Sequence, residues 1–187
     1  MKTLLIVISG LPCTGKTTLG RKIAKEFLLP FVSRDDIKES LFDSLGWKDR
    51  EWSKKLGAAS YKLLYYFVES QACIGNSIIV ESNFMPKLDT SKFISLRNKY
   101  ELEIIQIQCK ADAQVLFQRF KNRSESDERH PGHVDGRNYE EFKTTLSQGG
   151  YDILDIDGKV FEINTTDFEK IDYEMLFEAL KSAVNIL

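Results

Sequence analysis

The sequence lacks the features that mark secreted, membrane-bound or disordered proteins. It has only three cysteines in 187 residues and no CxxC pair, so we expect reduced thiols in a cytosolic protein rather than a disulfide framework. No apolar run approaches the length of a membrane span, which argues against a membrane partner. The net charge of −2 provides no overall attraction to nucleic acid or anionic membranes.

The overall composition of the chain predicts one soluble globular domain over residues 1–187. Hydrophobic residues make up 42% of the chain and charged residues 29%. Short apolar runs alternate with amphipathic stretches, a pattern typical of an α/β protein with a parallel sheet covered on both faces. The polar segment at about 124–136 is expected to be an exposed, mobile lid. The strand-like runs are Thr3–Ile8, Phe31–Ser33, Ser77–Glu81, Glu103–Cys109 and Lys159–Asn164.

The first apolar run leads into a phosphate-binding loop. Residues Gly10–Thr17 satisfy the GxxxxGK[ST] pattern. Glycines let successive N–H groups turn inward around a phosphate, and the following helix presents its positive end to the same anion. We expect Lys16 to reach the β- and γ-phosphates of ATP and Thr17 to ligate Mg²⁺. The predicted nucleotide contacts in this region are Gly10, Leu11, Pro12, Cys13, Thr14, Gly15, Lys16, Thr17 and Thr18.

Other motifs narrow the class of P-loop protein. A GTPase should carry an Asn-Lys-x-Asp base-reading motif, but the nearest string, at 98–101, ends in Glu101. The signature of transporter ATPases, Leu-Ser-Gly-Gly-Gln, occurs only in scrambled form at 146–150. A small kinase needs a carboxylate near the acceptor, an acid near the metal and a lid that bears arginine. The sequence offers candidates for all three.

Asp35 is the candidate for the acceptor side. It follows the second apolar run and opens a helix, which places it at the sheet edge where ligands bind in open α/β folds. There it could accept the proton of an attacking hydroxyl. The alternative is structural, because Ser33 and Asp36 fit a capping box and acids suit a first helical turn. Arg34 could help to hold the acceptor or could be a surface residue with no role in binding.

Glu81 is the candidate for the metal side. It ends an apolar strand, as a Walker B acid does, and would hold Mg²⁺ through water beside Thr17. The alternative is a solvent-exposed strand end. Ser82 and Asn83 follow at the same edge of the sheet and could contact the acceptor.

Three arginines are the candidates for the lid and the nucleotide. Arg119 and Arg123 are four residues apart and share one helix face, and Arg129 follows in the polar segment. A guanidinium suits the charge on a transferring phosphoryl group, so we predict a catalytic role for Arg123 and nucleotide contacts for Arg119 and Arg129. The alternative is a solvated helix face offset by the acids at 125, 127 and 128. His130 and His133, with no cysteine nearby, do not predict a metal site.

Together these segments resemble the zeta-toxin and chloramphenicol-phosphotransferase-like group of P-loop kinases. Phage polynucleotide 5′-hydroxyl kinase is similar over the first two segments. The resemblance implies an adenylate-kinase-like fold with a five-stranded parallel sheet in the order 2-3-1-4-5. It also implies that Asp35 is the general base. The segments are Gly10–Thr17, Ser33–Ile37, Glu81–Phe84 and Arg119–His133.

The resemblance implies residues that contact adenine but does not identify the phosphoryl acceptor. It implies that Arg119 and Arg123 serve the lid and adenine side, and that the loop at Asn164 and Thr165 borders adenine. Lys38 stands where the polynucleotide kinase has a second arginine, and lysine lacks the planar fork for a bidentate phosphate grip. Nucleic acid is therefore a possible acceptor but not the favoured one.

Two functions remain open on the sequence. The first is an ATP-dependent kinase that phosphorylates a hydroxyl of an unidentified small molecule or nucleotide. The second is a slow ATPase that acts as a nucleotide-dependent switch or binding module, which would not need Asp35. Aromatic and basic residues at 47–66 could line an acceptor pocket or could be the two faces of an amphipathic helix.

Overall fold

A five-stranded parallel sheet is the centre of the fold. This computed structural model describes residues 3–126, 129–133, 139–147 and 152–184. The strands are β1 (Leu4–Gly10), β2 (Phe31–Ser33), β3 (Ile78–Glu81), β4 (Glu103–Lys110) and β5 (Lys159–Asn164). They lie in the order β2-β3-β1-β4-β5, and each neighbouring pair is parallel. The predicted class, parallel sheet and strand order are therefore confirmed.

Helices cover both faces of the sheet. Leu64 and Phe93 join the core on one face, and Ile23 and Leu180 join it on the other. All seven residues of the central strand β1 are buried, as its unbroken apolar run predicts. Among the described helices, none has both the length and the apolar character needed to cross a membrane. The helices are α1 (Lys16–Phe27), α2 (Arg34–Leu45), α3 (Arg50–Ala72), α4 (Pro86–Tyr100), α5 (Ala113–Ser124), α6 (Tyr139–Ser147) and α7 (Tyr173–Val184).

The segment predicted to be an exposed lid is only partly described. Residues 127–128 and 134–136 of it lie outside the described residues. In the described part, a short 3₁₀ turn at Pro131–His133 buries Gly132 and His133 against α2. The expectation of full exposure is wrong for these two residues. Polar composition suggests a solvated loop, but their contacts come from a helix about ninety residues earlier in the chain.

Two glycines with positive φ give a test of the sheet packing. A Cβ atom on Gly158, just before β5, would lie 2.4 Å from the Ile104 carbonyl oxygen, whereas one on Gly75 would meet nothing closer than 3.8 Å. We expect Gly75→Ala to cost about 1–2 kcal/mol through backbone strain alone. Gly158→Ala adds a clash with rigid backbone and should cost at least about 2 kcal/mol more. Urea unfolding measures both; equal losses would contradict this close approach of β5 to β4.

Candidate active site

The loop between β1 and α1 has the backbone shape of a phosphate cradle. Gly10, Cys13 and Gly15 have φ angles of 139°, 68° and 79°. A Cβ atom on Gly10 would lie 2.3 Å from the Cys109 carbonyl oxygen, so only glycine fits where the loop leaves the sheet. Helix α1 begins at Lys16 with no acidic residue in its first turn, and no side chain among the described residues caps it. Its first N–H groups are therefore oriented to receive an anion.

Glu81, at the end of β3, joins the loop, α1 and β2. Its Oε2 atom accepts hydrogen bonds from the hydroxyls of Thr17 at 2.9 Å and Ser33 at 2.8 Å. Its Oε1 atom lies 4.0 Å from the Nζ atom of Lys16, which also donates to the Leu11 carbonyl at 2.8 Å. Burial lowers the pKa of Lys16, and the charge of Glu81 opposes that shift. A polyphosphate here would further favour the charged ammonium.

Asp35, in the first turn of α2, lies between two arginines. Its Oδ1 atom accepts a hydrogen bond from Arg34 Nη2 at 2.7 Å, while its Oδ2 atom lies 3.4 Å from both terminal nitrogens of Arg129. Burial by itself raises the pKa of Asp35, but the two guanidinium groups outweigh burial and hold the pKa well below its usual range. Asp35 is therefore a carboxylate at neutral pH, held tightly at one oxygen and loosely at the other.

The capping box considered from the sequence does not form. Ser33 is the N-cap residue of α2, but its hydroxyl donates to Glu81 and makes no cap hydrogen bond. Asp36 pairs at 2.9 Å with Arg21 on the surface. Asp35 itself lines the cleft, where it pairs with Arg34 and Arg129, and it makes no helix-capping hydrogen bond among the described residues.

An acidic row on α2 holds the segment 129–133. Asp35, Glu39 and Asp43 are four residues apart and so share one helix face. Glu39 Oε1 accepts from Arg129 Nη1 at 3.2 Å and lies 2.8 Å from His133 Nε2. Burial lowers the pKa of His133, whereas its hydrogen bond to Glu39 lowers the pKa of that carboxylate. Both pKa shifts are consistent with a neutral His133 that donates its Nε2–H to Glu39.

Aromatic contacts complete this docking. The His130 ring stacks on Phe42 with centroids 5.0 Å apart and meets Trp47 edge-on at 4.9 Å. A Cβ atom on Gly132 would lie 2.6 Å from the fully buried Phe42 ring, so the turn fits only with glycine at this position. His130 and His133 thus contact α2.

Arg119 and Arg123 belong to α5 and line the same cleft as the phosphate loop. Arg119 donates from its two terminal nitrogens to the carbonyls of Thr165 and Thr166, each at 2.9 Å. Its guanidinium lies 3.9 Å from the centre of the Phe168 ring, which borders Gly15. These contacts form a flat wall beside the cradle, of the kind on which a purine ring can stack.

One cleft of about 750 Å³ joins these groups. Most sequence-predicted residues line it: Pro12, Cys13, Gly15, Lys16, Thr17, Thr18, Asp35, Glu81, Arg119, Arg123 and Arg129. Gly10, Leu11, Thr14 and Thr165 do not line it. The Thr165 hydroxyl turns away and bonds the Lys110 carbonyl at 3.0 Å. Leu11 contributes a carbonyl to the loop, and Thr14 Oγ1 donates to it at 2.9 Å.

The sequence alone missed several residues of the cleft. Phe168 borders the P-loop, and Glu141 of α6 pairs with Arg50 of α3 across the opening. Lys38 and Ser53 also line the wall formed by α2 and α3. Arg50 belongs to the basic residues at 47–66 that the sequence offered for an acceptor pocket, and the spacing from 34 to 38 places Arg34 and Lys38 on one helix face.

The residues present fit ATP with Mg²⁺. The cradle presents a buried ammonium and an uncapped helix start, which suit a polyphosphate. The Thr17 hydroxyl donates a hydrogen bond to Glu81, so the lone pairs of the Thr17 oxygen are left for a cation. Among the described residues, no group of three or more His, Cys, Asp or Glu side chains could hold a metal ion. A magnesium ion would therefore take most of its ligands from phosphate and water.

Comparisons with known proteins agree with this fold. A candidate kinase from Chloroflexus aurantiacus J-10-fl is 36% identical with a TM-score of 0.93, and the match covers 98% of this chain and 100% of that one. Kti12 from Chaetomium thermophilum, solved with ADP-AlF3, is 18% identical with a TM-score of 0.66, over 96% of this chain and 98% of that one. Shikimate kinase from Bacteroides thetaiotaomicron is 16% identical with a TM-score of 0.55, over 98% and 99%. The last two likenesses show the fold alone.

The sequence itself matches one family over most of its length. No curated protein matches the sequence. The finer resemblance to the zeta-toxin and chloramphenicol-phosphotransferase-like group stays a prediction. The family described as AAA domain matches residues 5–148, a range that holds the P-loop, Asp35, Glu81 and the arginines of α5. The chain belongs to this AAA domain family and has a P-loop kinase-like fold.

Proposed function

We propose that the protein is an ATP-dependent phosphotransferase that moves the γ-phosphoryl group of ATP to a hydroxyl of a small molecule. The observation that carries this proposal is the position of Asp35. It is an ionised carboxylate that lines the same cleft as the phosphate loop, and it is not used to cap α2. The similarity to a candidate kinase at 36% identity supports the same proposal. A slow ATPase switch would not need this carboxylate.

On the nucleotide side, the chain would act by positioning and by charge. Lys16 and the first N–H groups of α1 would hold the β- and γ-phosphates in line with the acceptor. Thr17 and, through water, Glu81 would hold Mg²⁺, which neutralises charge on the phosphate oxygens when it is bound. The stacked pair of Arg119 and Phe168 would lie against one face of the adenine ring. Arg123 would face the phosphoryl group during its transfer, when a guanidinium stabilises the developing charge.

On the acceptor side, Asp35 would take the proton of the attacking hydroxyl. Its Oδ1 atom is fixed by Arg34 at 2.7 Å, which sets the direction of the carboxylate. Among the described residues, its Oδ2 atom makes hydrogen bonds only to the two terminal nitrogens of Arg129, at 3.4 Å each, which is longer than the bond at Oδ1. We propose that the acceptor hydroxyl replaces Arg129 at Oδ2 and that Arg129 turns toward the phosphates. Losing one of two cationic neighbours would raise the basicity of Asp35 as the hydroxyl arrives.

The first test compares two neighbouring aspartates. We expect ATP turnover by the wild-type protein to rise with one member of a panel of hydroxyl metabolites and oligonucleotides. With that acceptor, Asp35→Asn should lower turnover by about 10²–10⁴. Loss of its ion pairs with two largely buried arginines should cost about 1–3 kcal/mol of stability, and ATP affinity should be kept. Asp36→Asn, a matched change in the same helical turn, should leave turnover nearly normal. Equal activity of the two variants would exclude Asp35 as the base.

The second test concerns Arg123. Because a lid arginine acts mainly in the transition state, Arg123→Ala should lower kcat by about 10²–10³ and change the ATP dissociation constant far less. Lys121→Ala removes an exposed cation from the same helix and serves as the control. Steady-state kinetics and calorimetry measure the two effects. Equal losses in binding and turnover would make Arg123 a ground-state contact instead.

The third test concerns the docked segment and pH. Burial keeps the pKa of His133 below its ordinary value of 6.5, so below about pH 6.5 the unfolded chain binds a proton that the folded chain does not. Stability should therefore fall from pH 7.5 to 5.5, by at most about 1.4 kcal/mol per pH unit. His133→Gln keeps a donor for Glu39 and should flatten this slope. Urea unfolding across the range is the measurement; an unchanged slope in the variant would contradict the burial of a neutral His133.

A further inference from the structure

The hydrogen bond between Arg34 and Asp35 does not follow from helix geometry alone. The two residues are neighbours in the first turn of α2, and side chains at successive positions of a helix do not face each other. Arg34 nevertheless reaches Asp35 Oδ1 at 2.7 Å. The Nε atom of Arg34 is buried and has no hydrogen-bond partner among the described residues. One bond at Nη2 leaves the plane of this long side chain free to turn, so the groups packed around Arg34 decide where its guanidinium lies.

The aromatic ring of Tyr61, on α3, supplies that restraint. The central carbon of the Arg34 guanidinium lies 5.0 Å from the centre of the Tyr61 ring, which is within the range of a cation–π contact. Such a contact is strongest where water is excluded, and the Arg34 side chain is only 19% exposed. Arg34 is thus held between a ring on α3 and the carboxylate of Asp35.

The Tyr61 ring is itself tied to the sheet. Its hydroxyl donates a hydrogen bond to the Asn83 carbonyl at 3.3 Å and accepts one from the Ser82 hydroxyl at 3.1 Å. Both partners follow β3 directly, and the last residue of that strand bonds the phosphate loop. Tyr61 is not among the described residues that line the cleft. A path of contacts therefore runs from the end of β3 through Tyr61 and Arg34 to Asp35.

We propose that Tyr61 is a positioning residue for phosphoryl transfer, which holds the guanidinium of Arg34 and, through it, the carboxylate of Asp35. This inference rests on the proposed function, in which Asp35 is the base. In that reaction Arg129 leaves Oδ2 as the acceptor hydroxyl arrives, while Arg34 stays at Oδ1. The direction of the Asp35 carboxylate then depends on Arg34, and a misplacement of about 1 Å can cost about 10²-fold in rate.

Two substitutions of Tyr61 separate its ring from its hydroxyl. Turnover is measured with the acceptor selected from the panel of hydroxyl metabolites and oligonucleotides. Tyr61→Leu removes the ring and should lower kcat by about ten- to a hundred-fold, with the ATP dissociation constant unchanged. Tyr61→Phe loses the hydrogen bonds to Ser82 and Asn83 but keeps a ring against Arg34, so it should lose less than about fivefold. Equal losses in the two variants would overturn the inference.

Tyr65→Leu is the matched control. Tyr65 lies one turn after Tyr61 on α3 and packs against the same core cluster, but its hydroxyl donates to Asp89 at 2.8 Å. The control therefore loosens α3 without removing the ring that contacts Arg34. Its kcat should stay near that of the wild type. A loss as large as that of Tyr61→Leu would reduce Tyr61 to a structural role and overturn the inference.

A double-mutant cycle asks whether Tyr61 acts through Arg34. Arg34→Met should itself lower kcat by about ten- to a hundred-fold, because Asp35 loses the partner that directs it. In that background, Tyr61→Leu should cause little further loss, since the two residues act as one unit. Equal fold losses from Tyr61→Leu in both backgrounds would give Tyr61 a role independent of Arg34 and would contradict the proposal.

A measurement by NMR needs no acceptor. The order parameter of the Arg34 Nε–H group, whose signal is identified by its loss in Arg34→Met, should be near about 0.85 in the wild type and in Tyr65→Leu, and below about 0.6 in Tyr61→Leu. An unchanged order parameter in Tyr61→Leu would overturn this inference and leave the proposed function intact. Full activity of Asp35→Asn, or a panel with no acceptor, would instead overturn the proposed function and the inference with it.

Discussion

The carboxylate of Glu81 is the contact on which the site depends. Parallel pairing of β3 with β1 and β2 brings the ends of three strands to one edge of the sheet. There, Glu81 accepts hydrogen bonds from Thr17 and Ser33 and lies 4.0 Å from Lys16. These bonds fix the phosphate loop relative to the start of α2. The distance between the nucleotide and Asp35 is thereby set by the sheet, because Asp35 lies two residues after Ser33.

The second constraint is electrostatic. The chain as a whole is slightly acidic, yet its cleft gathers cations from α1, α2, α3 and α5. Such a cluster repels itself, and acids from α2 and α6 offset part of that repulsion while ligands are absent. The pairing of Arg129 with Asp35 and Glu39 belongs to this compensation. In our account, the substrates replace these internal carboxylates as partners of the cations, so binding and movement of the segment at 129–133 are linked.

The sequence was sufficient for the sheet and for much of the cleft, but not for the docked segment. Continuous apolar runs and the GxxxxGK[ST] loop predict β1, α1 and their role, because both signals are local. Burial of Gly132 depends on Phe42, which is distant in the chain, so polar composition predicts a solvated loop there. The pairing of Arg50 with Glu141 spans 91 residues and has no local signal. The stripe from Asp35 to Asp43 was visible in the four-residue spacing, but its partners were not.

The most direct test of the central claim is the destination of the phosphoryl group. The protein is incubated with γ-³²P-labelled ATP and a small-molecule extract from which macromolecules have been filtered, and the labelled products are separated from inorganic phosphate. Our account predicts label in an organic phosphate ester, formed by the wild-type protein and not by Asp35→Asn. Label found only in inorganic phosphate, at the same rate with and without the extract, would contradict a kinase and would indicate an ATPase.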